Sequence, residues 1–384
     1  MADRYDVIVI GAGSIGAPAA MELADAGLST LVIDLAASVG QGANKAAIGG
    51  VRATHSEKGK IAVCQRSLDI LSTWKEKHGH NIEWRQGGYS FVAYREKEEM
   101  SLKELLKVQR AFGLDIDWKD RDDLLERIPS LNREGLMGGT FSPGDGSISP
   151  LLAVHAFYDR ARELGAMFQF REKVTGIDVE DGAVRAVTTD KGTYQTDCVV
   201  NAAGAAAAEV AKLAGVDVSV RPDCHEAGIT EPVRRFMEPM VVDIRPGPGS
   251  ANFYFYQHGT GQVIFCITPR PSIWGDDRRA TSAFLPMVAK RMVDVMPLLA
   301  NLKVRRTWRG LYPMTPDGLP IVGCAEDLEG YVNAVGMCGQ GLMLGPGLAT
   351  FMPGLVKGDL SCEDRELLAG WHPCRDFSCE EKLK

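Results

Sequence analysis

Residues 5–35 read YDVIVIGAGSIGAPAAMELADAGLSTLVIDL, and few patterns restrict a fold more tightly. The apolar run Val7–Ile10 has the character of a buried parallel strand. Gly11, Gly13 and Gly16 follow in GxGxxG spacing. Small residues from Ala17 to Ala26 predict a helix, Gly27 stops it, and Leu31–Ile33 predicts the next strand. The first glycine makes the turn, the second lets backbone approach a pyrophosphate, and the third lets helix pack on strand. The helix N-terminus, with Ser14 and Ile15 in its turn, then faces phosphate. Asp34 ends the second strand with Leu35 beside it, where a carboxylate can accept from a ribose hydroxyl. The stretch therefore predicts an α/β, Rossmann-like dinucleotide domain. Asp34 disfavours NADP, whose 2′-phosphate it would face, but does not separate NAD from FAD.

The chain has 384 residues, too many for one hydrophobic core and suited to two domains. A net charge of −7, with no basic run, argues against a nucleic-acid partner. No apolar stretch approaches the roughly 20 residues of a membrane helix. Asp3, Arg4 and Asp6 precede a short apolar run, which does not describe a signal peptide. Nine cysteines in no framework spacing read as reduced thiols of a cytoplasmic protein. No metal site is expected.

After Asp34 the segment SVGQGANKAAIGGVRATHS has little periodicity and predicts a loop close to the ligand. Helices are predicted around 61–77, 98–113 and 150–164, the last with Pro150 in its first turn. YSFVAY predicts a strand. Residues 173–204 predict three strands, the last Cys198–Asn201, turning at Asp181-Gly182 and Lys191-Gly192, then an Ala-rich helix. Between 216 and 307 short β-like runs, FYFYQ and QVIFCIT, mark a second domain with a helix over 281–296. The stretch RGLYPMTPDGLPIVG, 309–323, predicts a loop, followed by a second Gly-rich helix start. Residues 361–384 form a polar tail with Cys362, Cys374 and Cys379.

Five ordered blocks, VIVIGAGSIG, IGGVRA, VVNAAGAAAAEVAKLAG, RTWRGLYPMTPDGLPIVG and NAVGMCGQGLMLGPGLA, together resemble the FAD-dependent D-amino-acid oxidase superfamily. Within it the chain is most similar to the sarcosine oxidase and dye-linked proline dehydrogenase β-subunits. The resemblance implies FAD rather than NAD. It implies a discontinuous Rossmann-like FAD domain (1–84, 148–215 and 308–360) and an α+β substrate domain on a mixed sheet (85–147 and 216–307). Residues 309–323 would then cover the isoalloxazine, with Gly310, Leu311, Thr315 and Pro316 against it. The turn Gly339, Gln340, Gly341, Leu342, Met343 would open a helix aimed at the flavin N1–C2=O edge, where a helix N-terminus favours the anionic reduced form. Gly42, Asn44, Lys45, Ala47, Gly49 and Gly50 would run along the pyrophosphate and ring. Val174, Ala203 and Gly204 would complete the adenosine side.

The same resemblance implies oxidation of an amine α to a carboxylate, by hydride transfer to the flavin. Arg52 falls where those oxidases hold the carboxylate, a task suited to a guanidinium fork. Tyr254 and Tyr256 share one strand face and would line the substrate cavity or pack in the core. His55 and His258 are further candidates. Gly310 stands where monomeric sarcosine oxidases attach FAD through Cys, so FAD is expected to be non-covalent. Met343 replaces a carboxylate-binding Lys. Ile264 aligns with the oxygen-activating Lys, which favours a dehydrogenase. Pro150, with His155 nearby, stands where tetrameric sarcosine oxidases link FMN, leaving non-covalent FMN at a subunit interface open. The expected substrate is proline, hydroxyproline, sarcosine, an opine or a D-amino acid. Electrons would pass to an α-subunit or carrier within a hetero- or homo-oligomer. An electron-relay subunit and a 2-hydroxy-acid or polyol-phosphate dehydrogenase are the alternatives.

Overall fold

Val7–Ile10 is buried along its whole length, as a central parallel strand must be. In the computed structural model, which describes residues 3–383, it lies inside a six-stranded sheet. The order is Ile321–Cys324, Tyr331–Val335, Val199–Asn201, Val7–Ile10, Thr30–Asp34, Met167–Phe170. All are parallel except Ile321–Cys324. Register sets Ile10 beside Ile33 and Asn201. The residues that follow these three strands therefore meet at one sheet edge, where the strand order reverses and open α/β sheets bind ligands. The helix Gly16–Asp25 packs there through Ala17, Ala19, Ala20 and Leu23.

Where three strands are expected between 173 and 201, there are four: Val174–Glu180, Ala183–Thr189, Thr193–Thr196 and Val199–Asn201. The expected last strand, Cys198–Asn201, is observed as Val199–Asn201, and the added strand is Thr193–Thr196 before it; the run divides at Asp197 because its halves serve different sheets. Thr193–Thr196 pairs with Ala183–Thr189 in a four-stranded sheet, and Val199–Asn201 pairs with Val7–Ile10.

An eight-stranded mixed sheet forms the second layer. Its order is Val304–Met314, Arg221–Pro232, Gln262–Pro269, Ser250–Gln257, Met240–Asp243, Tyr89–Ala93, Gly138–Ser142, Asp117–Asp120. Met240–Asp243 and Tyr89–Ala93 are its one parallel pair. Period-2 alternation sorts the two faces. Phe253, Phe255, Phe265 and Val241 pack with Phe284 and Val288 of the helix Phe284–Val295 on one side. Tyr254, Tyr256, Ile264 and Met240 face the other way, with Tyr89 and Phe91. Truncating one of the buried phenylalanines to Ala would cost about 3–5 kcal/mol.

Two expectations are corrected. Residues 309–314 are not a loop: Val304–Met314 is an 11-residue strand, paired throughout with Arg221–Pro232. The domain boundary expected at 308 falls inside that strand. It is an edge strand of the larger sheet, and an edge tolerates Pro313, which sits opposite Pro222. Nor is 361–383 only a polar tail. Helix Cys362–Leu368 and the 3-10 turn Ala369–Trp371 bury Trp371 completely, and the chain then returns to the interior at Glu381 and Leu383.

Candidate active site

The dinucleotide turn is made by backbone. Gly11 has φ +108°, and a Cβ there would meet the carbonyl of Ala202. A Cβ on Gly16 would overlap the carbonyl of Gly11. A Cβ on Gly13 would meet nothing within 4 Å, so this position faces open space. Asp34 accepts from the Ala12 amide (2.7 Å) and the Ala36 amide (2.7 Å), which fixes the turn around its carboxylate. Among the described residues the amides of Gly13, Ser14 and Ile15 make no hydrogen bond. Leu35 is exposed beside Asp34. Glu172 donates its amide to the Asp34 carbonyl at 3.2 Å, which brings the start of Val174–Glu180 alongside. Ala203 and Gly204 follow Asn201 on the neighbouring strand, Gly204 with φ +56°.

A second helix N-terminus lies next to this turn. Gly341–Ala349 starts after Gln340. A Cβ on Gly345 would overlap the Ser14 carbonyl, and one on Gly341 would come 3.1 Å from Ser14 Oγ. The two helix starts are thus in contact through glycine. Leu342 and Met343 are buried in the first turn. Gly339, φ +81°, faces the Tyr312 ring. Gln340 is buried with Oε1 unpaired.

The segment 42–50 runs between the two layers. Gly42 and Lys45 are exposed and Ala47 is half-buried. Asn44 is buried; its Nδ2 donates to the Pro150 carbonyl at 2.9 Å, and its Oδ1 has no partner. Gly49, φ +99°, packs on the Ile148 carbonyl, and Gly50 on the Tyr89 hydroxyl. Trp308 donates to the Ala46 carbonyl at 2.9 Å, and Gly310, followed by buried Leu311, leaves room for Ala46. Thr315 Oγ1 bonds the Leu319 carbonyl at 2.7 Å.

These groups suit an extended dinucleotide. Unpaired amides lie at the turn where a pyrophosphate would bind. Orphaned buried acceptors on Asn44 and Gln340 await donors further along, and helix N-termini supply partial positive charge. A flavin, with its ring N–H and phosphates, offers what each group lacks. Exposed His155 lies on the helix Pro150–Glu163.

Beyond this track is a buried cation. Arg52 is 6% exposed and stacks over Phe91 at 5.4 Å. Its Nη1 donates to the Thr54 carbonyl and faces His55 Nδ1 at 3.3 Å; its Nη2 donates to the Leu383 carbonyl at 2.7 Å. Among the described residues no carboxylate forms an ion pair with it. A guanidinium only donates, so His55 Nδ1 accepts and Nε2, 3.5 Å from Cys64 Sγ, carries the proton. Burial, then Arg52 and Lys60, hold the His55 pKa well below the usual histidine range, so the ring is neutral at pH 7. Asp145 bonds the Ala53 amide and the Thr54 hydroxyl. Burial pushes its pKa up to about 6 against those bonds and Arg52.

Tyr256 donates to the Ile48 carbonyl, and Tyr254 pairs its hydroxyl with Tyr312 at 2.8 Å. Tyr312 stacks on His225 at 3.7 Å. His225 is buried beside Asp223 (3.2 Å), and burial, outweighing that partner, lowers its pKa. Arg52, Tyr254, Tyr256 and His55 thus gather at one place, while His258 binds Thr260, lies 3.7 Å from Glu83 and meets this group only through an edge contact with Tyr256, ring centroids 6.5 Å apart. Sequence reasoning missed Asp145, Tyr89, Tyr312 and His225. Alternation along 304–314 would have found Tyr312, and the turn Pro143-Gly144-Asp145-Gly146 hints at a structured carboxylate. The described residues hold one grouping with metal-ligand geometry, Glu326, His372 and Cys374, all exposed. Among them no helix is long and apolar enough to cross a membrane.

The chain is similar to known proteins over most of its length. Residues 6–352 match the family model described as FAD dependent oxidoreductase (DAO). A glycine oxidase of Geobacillus kaustophilus (strain HTA426) is 27% identical over 94% of this chain and 93% of its own. Mitochondrial sarcosine dehydrogenase of Mus musculus is 26% identical over 89% of this chain, which spans 38% of that protein. Among solved structures, L-proline dehydrogenase from P. horikoshii superposes with a TM-score of 0.90 at 28% identity, covering 97% of this chain and 98% of that one.

Proposed function

The chain belongs to the DAO family of FAD dependent oxidoreductases, and from that premise we propose that it oxidises an amino acid or N-alkyl amino acid to the imine, which water then hydrolyses. Proline, hydroxyproline, sarcosine, glycine, an opine or a D-amino acid is the substrate type. One observation carries the reading. Arg52 is a buried cation with no carboxylate partner among the described residues, at the base of an aromatic and apolar cluster. Asp145 and Glu381 lie near enough to feel Arg52 but neither is in ion-pair contact with it. A buried charge without a directly paired carboxylate is costly, and a substrate carboxylate would lower that cost.

Bound FAD supplies the two-electron acceptor; Gly13, Ser14, Ile15, Asp34, Asn44 and Gln340 would hold it. Gly310 offers no nucleophile, so the attachment is non-covalent. The chain's own residues bind and orient. Arg52 takes the carboxylate, and neutral His55 and the Thr54 carbonyl fix the guanidinium plane. Asp145 holds the 53–54 backbone that carries it. Tyr89, Tyr256, Phe91 and Ile264 exclude water and set the room for the side chain. The Tyr254–Tyr312 hydroxyl pair supplies a polar edge opposite them. Burial raises the Tyr254 pKa well above the usual tyrosine value, so that edge stays protonated. The substrate amine reacts as the neutral form and loses its proton to solvent.

Ile264 is apolar and buried, and the cation Lys60 is faced by Glu381. With Arg52 engaged by the substrate carboxylate, charge stabilisation for reduced oxygen is weak, which supports a dehydrogenase delivering electrons to a partner subunit or carrier. Arg52→Ala tests the reading. Truncating one side of a buried, hydrogen-bonded charge pair costs about 2–5 kcal/mol, so substrate should bind roughly 100-fold more weakly while FAD stays bound. Unchanged substrate affinity in that variant would contradict the assignment.

A further inference from the structure

Residues 372–383 lie outside the span that matches the family, yet they run into the site. Arg375 forks onto Asp317 (2.7 and 3.0 Å) and reaches the Leu319 carbonyl (3.0 Å). The Glu381 amide donates to the Asp317 carbonyl at 3.1 Å. Its carboxylate accepts from the Ser56 amide and hydroxyl and from the Leu383 amide. Lys60 Nζ lies 3.8 Å from the other carboxylate oxygen, and both side chains are fully buried. Leu383 then enters the cluster of Tyr89, Phe91, Tyr256 and Ile264, and its carbonyl accepts from Arg52 Nη2 at 2.7 Å.

We infer that this segment is an internal ligand of the substrate site: the Leu383 carbonyl and side chain hold the place of a substrate carboxylate and side chain until substrate displaces them. The inference rests on the assignment of Arg52 to the carboxylate. A bidentate carboxylate needs the guanidinium edge that the Leu383 carbonyl uses, and a charged acceptor makes the stronger bond. Displacement is also local. Leu383 can leave while Arg375–Asp317 and Glu381–Lys60 keep the rest of the segment in place, so the strap is hinged between two ion pairs and the site. An occluded site lowers apparent affinity by the fraction of molecules that are open.

The test is calorimetric titration of the FAD-loaded enzyme with acetate, an unreactive carboxylate. The intact chain is compared with a chain ending at Cys379, each with and without Arg52→Ala. Removing the segment should tighten acetate binding at least about fivefold, corresponding to a site open no more than about a fifth of the time, and Arg52→Ala should abolish the gain. Unchanged or weaker binding in the shortened chain overturns the inference while leaving Arg52 as the carboxylate site. So does a gain that survives Arg52→Ala, which would place the acetate on uncovered Lys60. Acetate affinity insensitive to Arg52→Ala in both chains instead removes the assignment of Arg52 itself. If the shortened chain does not fold, hydrogen exchange in the intact holoenzyme decides. Saturating acetate should speed exchange of the Leu383 amide at least about tenfold, and no change overturns the inference.

Discussion

The two ends of the site are built by different means. At the phosphate end, Gly11, Gly13, Gly16 and Asp34 lie within one short stretch and act through backbone: a positive φ, a close approach, two amides held by one carboxylate. At the substrate end, Arg52, Tyr89, Asp145, Tyr254, Tyr312 and Leu383 come from across the chain and act through side chains and one carbonyl. A backbone device is specified locally and tolerates little change. A side-chain cluster is specified by topology, so its parts can be altered one at a time. Substitutions at the two ends should therefore fail differently.

The largest effect is expected at Gly16. A Cβ there would overlap the Gly11 carbonyl, and overpacking costs about 1–3 kcal/mol, more where rigid backbone cannot give. Gly16→Ala should purify with little FAD and a lowered Tm. Full FAD content would break the comparison, because the phosphate end would then tolerate what Arg52→Ala is expected to tolerate at the other end. A smaller effect is expected of Tyr312→Phe, which removes one hydroxyl from the pair with Tyr254. A hydrogen bond is worth about 1 kcal/mol. Substrate KM should change by less than about tenfold, with FAD content and spectrum unaltered.

The smallest and most local effect is on pH. Burial alone would raise the Glu381 carboxyl, but Lys60, the Ser56 bonds, the Leu383 amide and Arg52 outweigh it and hold it below the usual glutamate value. Arg52 and Lys60, with the Ser56 side chain, face it from the elements around it, while the Asp317 carboxylate is taken up by Arg375. A lowered folded pKa means that the contribution is complete above the unfolded glutamate pKa and is lost as pH falls through the folded one. Protection of residues 381–383 from hydrogen exchange should hold from neutral pH down to the ordinary carboxyl range, then fall below it. Protection that falls between pH 8 and 6 instead would point to a histidine rather than Glu381.

The same contrast explains what could be read in the sequence. The strand–glycine–helix unit and Asp34 were legible because the contacts that shape the turn, Gly16 on Gly11 and Asp34 on the Ala12 and Ala36 amides, are nearby. The alternation of Tyr254 and Tyr256 against Phe253 and Phe255 was also legible, since period 2 needs no partner to be seen. Residues 309–314 were not, because Gly310 and Pro313 disguise a strand whose position at a sheet edge excuses both. The interval 173–201 hid a fourth strand because Asp197 divides a continuous β-like run between two sheets. Lys60, Glu381 and Leu383 carry no local signal at all: a buried lysine meets a buried glutamate more than 300 residues away, and only the folded chain puts them beside Arg52.

The most direct measurement is the visible spectrum of the purified chain under anaerobic conditions as glycine, proline, sarcosine and D-amino acids are added in turn. The account predicts a flavin band that one of these amino acids bleaches, and that Arg52→Ala shifts the bleaching to much higher substrate concentration. A flavin band that none of them bleaches, or that only a 2-hydroxy acid bleaches, would contradict it.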